Sequence, residues 1–173
     1  MPVTLQQVLN QLDTDEPNYP ALAALGPEAV PHLASLVRGE DPGLASKAAY
    51  LASLIQSDDS IEVLTTAAGS PHDTVRVAAA AGLRNLGAAQ ALPLTERLLD
   101  DADAGVRKQA LRAAGRLGLN TLEAKVKAVA SSDADTALRQ LATQELKQMA
   151  DVRADRESPP PAKPKKRTAP RRA

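Results

Sequence analysis

A stripe of small and apolar residues recurs about every thirty-one positions along this chain. Leu44, Ala48, Ala52 and Ile55 become Val75, Ala79, Leu83 and Leu86 after a step of 31, and Val106, Ala110, Ala114 and Leu117 after another. A step of 32 then gives Leu138, Ala142, Leu146 and Met149. The spacing i, i+4, i+8, i+11 is one stripe of an α-helix. Intervening segments repeat in the same register, with Val30, Leu33 and Val37 answered by Ile61, Leu64 and Ala68, by Leu92, Thr95 and Leu99, and, after one slip, by Leu122, Val126 and Ala130. Each unit is therefore a helical hairpin. Gly26-Pro27, Asp41-Pro42-Gly43, Ser70-Pro71, Gly87 and Gly118 fall between the stripes, where turns are needed. Thr4 with Gln7 and Asp59 with Glu62 fit helix starts.

Composition narrows what such hairpins can do. Alanine fills 34 of the 173 positions, so helices must approach closely to fill a core. No cysteine is present, which excludes disulfides, thiolate metal sites and cysteine nucleophiles. Tyr19 and Tyr50 are the only aromatic residues, leaving little for base stacking or aromatic cages. No apolar run reaches the roughly 20 residues of a membrane span, and Met1-Pro2-Val3-Thr4 begins no signal peptide, so a cytoplasmic protein without membrane contact is expected.

The stretch Asp-Ala-Gly-Val-Arg-Lys-Gln-Ala-Leu-Arg-Ala-Ala-Gly-Arg-Leu-Gly, residues 103 to 118, resembles the second helix of a HEAT repeat, in particular the short HEAT-like type of bacterial proteins and phycobilisome lyases. Three other copies agree in register. Pro31 and Pro93 match the internal proline of the family's first helix, whereas Glu62 and Ala124 depart from it. The resemblance implies an all-α fold: an α-solenoid of stacked hairpins forming a right-handed superhelix. Four units are expected at about 27–56, 57–87, 88–118 and 119–150, preceded by a capping hairpin at 1–26 and followed by a disordered tail at 151–173. Gln6, Gln7, Asn10 and Gln11 supply the wetted face that a terminal hairpin needs.

The resemblance also implies a ladder of turn aspartates and following arginines between neighbouring repeats. Asp101 with Arg107 and Asp133 with Arg139 match it, while Arg76 keeps only the arginine, facing Ser70. Gly39 and Ala45 stand at these positions in the first unit, so the ladder should fade toward the N-terminus.

By analogy with the family, the second helices line the concave surface. The alignment predicts four outward rows: Ser46, Val77, Lys108 and Gln140; Tyr50, Ala81, Arg112 and Gln144; Ser53, Arg84, Gly115 and Lys147; and Leu54, Asn85, Arg116 and Gln148. Lys108, Arg112 and Arg116 form one column, joined by Arg84 and Lys147 from neighbouring helices, and Tyr50 with Leu54 adds an apolar patch. Such a column steers acidic ligands, although cations are common on any solvated helix face.

Overall charge is balanced, with 21 basic and 21 acidic residues, but residues 1–157 carry a formal −6 and the last sixteen residues +6. The basic tail holds Lys163, Lys165, Lys166, Arg167, Arg171 and Arg172 among five prolines. Its composition suits disorder and contact with a polyanion, an acidic protein, or solvent alone.

No catalytic constellation is apparent. His32 and His72 lack periodic partners, Asp58-Asp59 and Asp100-Asp101-Asp103 lack the glycine of a calcium loop, and no phosphate-binding glycine loop occurs. These features lead us to expect a monomeric, non-enzymatic scaffold or adaptor with neither cofactor nor metal, binding a protein partner through its concave face. Nucleic-acid association through the column and tail is the alternative. A bilin lyase-like activity, in which the resemblance has bilins attached to cysteine on a partner protein, is a minor one. The HEAT-like alkylpurine DNA glycosylases, which share similar repeats, use aromatic side chains with a catalytic Asp against DNA, and the absence of Trp and Phe argues against that chemistry here.

Overall fold

A computed structural model of the chain describes residues 2–55 and 57–157. The expectations for the basic tail, Lys163 to Arg172, lie outside the described residues. Within them the regular structure is entirely helical: α1 (Leu5–Leu12), α2 (Tyr19–Ala23), α3 (Val30–Val37), α4 (Pro42–Leu54), α5 (Asp58–Ala68), α6 (Asp73–Gly82), α7 (Ala88–Leu98), α8 (Ala104–Leu117), α9 (Glu123–Ser132) and α10 (Thr136–Glu157), with short 3-10 turns at Gly26–Ala29, Leu83–Asn85 and Asn120–Leu122.

The helices pair as hairpins and the hairpins stack in a row. The second helices form one layer, α4 on α6, α6 on α8 and α8 on α10, and the first helices form another, α3 on α5 and α5 on α7. The thirty-one-residue stripes lie between the layers. Ala48, Ala52, Val75, Ala79, Leu83, Val106, Ala110, Ala114, Leu138 and Ala142 are all buried, as are their first-helix counterparts Val30, Leu33, Leu64, Ala68, Leu99 and Val126. Leu44, Leu86, Leu117 and Leu146 are only partly covered, three of them because they sit at or near a helix end. Small residues set the spacing. A Cβ placed on Gly82 of α6 would stand 2.6 Å from the Ser53 Cβ of α4, so these two helices meet nearly backbone to backbone.

Local chemistry places the ends. The Asp41 carboxylate accepts from the Gly43 and Leu44 amides at 2.8 and 3.1 Å, with Pro42 in the first turn of α4. Asp103 accepts from Val106 N–H at 2.9 Å at the start of α8. Gly118 closes α8 in the left-handed region, φ 58°, a conformation that favours glycine. Thr4 caps α1 through the Gln7 amide at 3.2 Å. In α5 the start lies at Ser57 and Asp58 rather than at Asp59, and both aspartates sit in its first turn, where negative charge is stabilising.

Several contacts hold the leading hairpin to the first repeat, among them the Val3 amide donating to a Glu28 carboxylate oxygen at 3.2 Å. Tyr19 stacks edge to face on Tyr50 with ring centroids 5.0 Å apart, Lys47 Nζ donates to the Thr14 carbonyl at 2.7 Å, and the His32 ring nitrogen Nε2 lies 2.9 Å from the Val3 carbonyl oxygen. Both the His32 ring and the Tyr50 patch therefore have structural partners.

At the other end α10 continues to Glu157, taking in the first seven residues of the tail expected from 151. The extension lies over the end of α8. Arg156 donates to the Leu117 carbonyl at 3.0 Å, and Val152 covers Gly118 so closely that a Cβ there would stand 2.5 Å from its Cγ1. Residues 151–157 thus belong to the last hairpin.

Candidate binding face and ladder

The turn edge carries the ladder, and each rung crosses from one repeat to the next. Arg76 at the start of α6 donates to both carboxylate oxygens of Asp101, from Nε at 2.8 Å and from one terminal nitrogen at 3.0 Å, while its other terminal nitrogen caps the Ser70 carbonyl at 3.0 Å. Arg107 repeats the pattern with Asp133 at 2.8 and 2.9 Å and the Asp101 carbonyl at 2.9 Å. Because the turn contributes a backbone carbonyl, the serine at position 70 does not weaken the Arg76 rung. The ladder stops only before it, where Ala45 replaces the arginine. At the far end Arg139 caps the Asp133 carbonyl at 2.6 Å and reaches Thr136 Oγ1 at 2.8 Å, without a carboxylate from a further repeat.

These pairs are largely shielded, with side-chain exposures of 17% and 11% for Arg76 and Asp101 and 16% and 6% for Arg107 and Asp133. Burial alone would raise the Asp101 carboxyl, but the Arg76 hydrogen bond, the Asp103 amide and the charges of Arg76 and Arg107 hold it below its ordinary value. The Arg107 hydrogen bond, followed by opposing burial and the Asp135 amide, does the same for Asp133.

The layer of second helices carries the basic column. Lys108, Arg116 and Lys147 are exposed, and Arg112, Arg84 and Tyr50 are half-buried. None of the five cations forms an ion pair among the described residues, whereas Arg76, Arg107, Lys125, Lys127 and Arg153 all do. The row of Ser53, Arg84, Gly115 and Lys147 does not face outward throughout. Ser53 is buried, donating to the Tyr50 carbonyl at 2.6 Å and accepting from Asn85 at 2.9 Å, and Gly115 is buried beneath α10. Helix contact, rather than solvent, claims these two positions.

What covers Gly115 is Glu145, a residue that the periodic reading passed over. Steps of 31, 31 and 32 make Leu51, Gly82 and Ala113 its counterparts, so a carboxylate occupies a register position that is apolar or small in the other repeats. That mismatch was the available signal. Glu145 is 8% exposed, and its Oε2 is buried without a hydrogen-bond partner. Burial pushes its carboxyl above the ordinary range, and Arg112 and then Arg84 pull it part of the way back by charge alone. This layer thus holds a buried acid with raised proton affinity within the electrostatic reach of two guanidiniums.

A cleft of about 550 Å³ opens on the opposite edge from the ladder, lined by Ser53, Asn85, Ile61, Asp58 and Gln90 among others. Among the described residues no group of three His, Asp or Glu side chains is placed to hold a metal ion, and no helix is long and apolar enough to cross a membrane.

Stacked two-helix units with a shared inter-repeat ladder define the chain as an α-solenoid. The family model described as HEAT repeats matches residues 61–147, and the chain belongs to that family. No curated protein matches the sequence. Among solved structures, the complex of CpcE and CpcF of phycocyanin lyase from Nostoc sp. PCC7120 is similar in fold, with a TM-score of 0.68 at 23% identity over 82% of this chain and 96% of that one.

The comparison corrects one expectation. The sequence pointed away from an enzyme because nucleophile, metal and phosphate-loop motifs are missing, yet the matching fold is that of a lyase. Those motifs report only the chemistries that use them. A carboxylate shielded by packing between helices, as at Glu145, belongs to none of those motifs.

Proposed function

We propose that this HEAT-repeat chain binds an acidic surface or peptide of a partner protein through its layer of second helices. The observation that supports this most directly is the set of Arg84, Lys108, Arg112, Arg116 and Lys147, gathered on adjacent helices with no ion pair among the described residues. Arg76, Arg107, Lys125, Lys127 and Arg153 are paired with carboxylates, whereas the five cations of the set are left exposed or half-buried. Their summed field favours encounter with an acidic partner and weakens with salt. The test is calorimetric titration with a ten-residue polyglutamate peptide at low and high salt. Wild type should bind and the R84E/R112E variant should lose at least tenfold in affinity. Equal binding by the two removes this reading. A gel-shift arm with duplex DNA, using the full chain and residues 1–157, separates protein from nucleic-acid recognition: a salt-sensitive shift that survives truncation and exceeds the peptide affinity favours nucleic acid.

A second reading is favoured by the likeness to phycocyanin lyase. In it the bound protein is modified as well as held, with Glu145 as the acid–base group of the face. Incubating the chain with bilin and the cysteine-bearing apo-phycocyanin tests it. A coloured covalent adduct that depends on Glu145 supports this reading, and its absence counts against it.

A further inference from the structure

The proposed face contains one group that works against its own charge. Arg84 and Arg112 would attract an acidic partner more strongly without the charge of Glu145, and its position is filled by Leu51, Gly82 and Ala113 in the other repeats. The carboxylate is also a poor structural choice. It is 92% covered, its Oε2 is orphaned, and room for it exists only because position 115 is glycine: a Cβ there would lie 2.8 Å from the Glu145 Cδ and 3.1 Å from its Cβ. Arg84 and Arg112 act on it through space and neither forms an ion pair with it.

We infer that Arg84, Arg112 and Glu145 form a single proton-linked anion site, in which docking of an acidic side chain of a partner protein on the two guanidiniums is accompanied by uptake of one proton on Glu145. The inference rests on the binding face proposed above. An incoming carboxylate competes for the charges that favour the ionised form of Glu145 and adds a like charge near it, and both effects favour protonation of the buried carboxyl. The proton comes from solvent and resides on the buried carboxyl, so no bond other than O–H forms. Linkage then requires affinity to rise as pH falls through the window between the free and the bound proton affinity of Glu145.

Several other ionisable groups on α9 and α10 are paired. On α9, Lys127 pairs with Glu123, which Arg153 of α10 also approaches at 3.6 Å, and Lys125 pairs with Asp100. Lys147 on α10 and Arg116 and Lys108 on α8 are exposed. His72 precedes α6 at the end remote from Arg84, and His32 lies against Val3. Glu145 is therefore the group whose titration the site would register.

The test is calorimetry of the full chain with inositol hexasulfate, a polyanion that stays fully ionised from about pH 5 to 8, in buffers of different ionisation enthalpy. Wild type should take up a substantial fraction of one proton per ligand, with affinity rising by up to tenfold per pH unit on acidification. E145Q should bind with little pH dependence and no uptake, and E145A serves if the glutamine variant fails to fold. Carbon-13 shifts of the Glu145 carboxyl in wild type should move to the protonated value on saturation. Equal uptake by wild type and E145Q, or an unmoved carboxyl shift, overturns the proton linkage while leaving the face intact. Equal affinity for wild type and R84A/R112A overturns the face itself.

Discussion

Glu145 on α10 occupies the volume that any side chain at Gly115 on α8 would need. The same contact two helix pairs earlier is made with the sizes reversed, Gly82 of α6 lying against Ser53 of α4. Along this seam a small residue on one helix admits a larger one on its neighbour, and the exchange of roles at Gly115 is what lets a carboxylate into the core. Gly115→Ala should therefore displace Glu145 and cost about 1–3 kcal/mol. The double variant G115A/E145A should recover most of the loss, since alanine occupies the counterpart position 113. Thermal melting of the two single variants and the double one measures the coupling, and a double variant equal to the sum of the two single effects would show that the two side chains do not compete for space.

Removing the buried carboxyl alone should stabilise the chain. Glu145→Ala relieves an unpartnered polar atom, a gain of about 1 kcal/mol near neutral pH. The sign of the pH dependence follows from the raised proton affinity of Glu145 in the folded state. Its contribution is most favourable below the ordinary glutamate value of about 4.3 and is lost as pH rises through the higher folded value. Urea melts of wild type and E145A should converge on acidification and separate toward neutrality. A constant gap across pH would mean that the carboxyl titrates normally.

The repeat, its hairpins and the buried stripe were legible because helical periodicity is a property of each segment by itself. Ala110 and Ala142 are fully buried where the spacing put them. Features made between segments were harder to read. The direction of the ladder, Arg107 reaching forward to Asp133 rather than pairing within its own turn, depends on how hairpins stack. Ser53 and Gly115 turned inward because α6 and α10 pass over them, and a rotation of a few tens of degrees decides that. The last helix outran its expected end because Val152 and Arg156 find partners on α8, a tertiary reason that polar composition does not reveal.

The ladder should contribute much of the resistance to acid. Arg107→Ala leaves the Asp133 carboxylate, only 6% exposed, with the Asp135 amide alone, and strips a donor from the Asp101 and Ala102 carbonyls, for a loss of about 3 kcal/mol. Arg139→Ala, which breaks no carboxylate pair, should cost under about 1 kcal/mol. Asp101 and Asp133 both titrate below their ordinary value when folded. The stability they supply is fully present above about pH 3.9 and is lost as pH falls through the depressed folded values. Acid denaturation of wild type and R107A should differ accordingly, with the variant's stability less sensitive to pH in that range. Equal losses for R107A and R139A would deny the cross-repeat rungs their role.

The end of α10 offers a test of where the folded unit stops. Val152 lies against Gly118 and Arg156 donates to the Leu117 carbonyl, so residues 151–157 cover the left-handed turn that closes α8. A chain ending at 150 uncovers that turn and should be less stable than one ending at 157 by about 1–2 kcal/mol, the worth of a partly buried valine with its neighbouring hydrogen bond. Val152→Ser in the full chain should account for a large part of the difference, because it removes apolar contact without shortening the helix. Thermal melting of the three proteins decides it. If chains ending at 150 and 157 melt together, the extension is helical without being part of the last hairpin's packing.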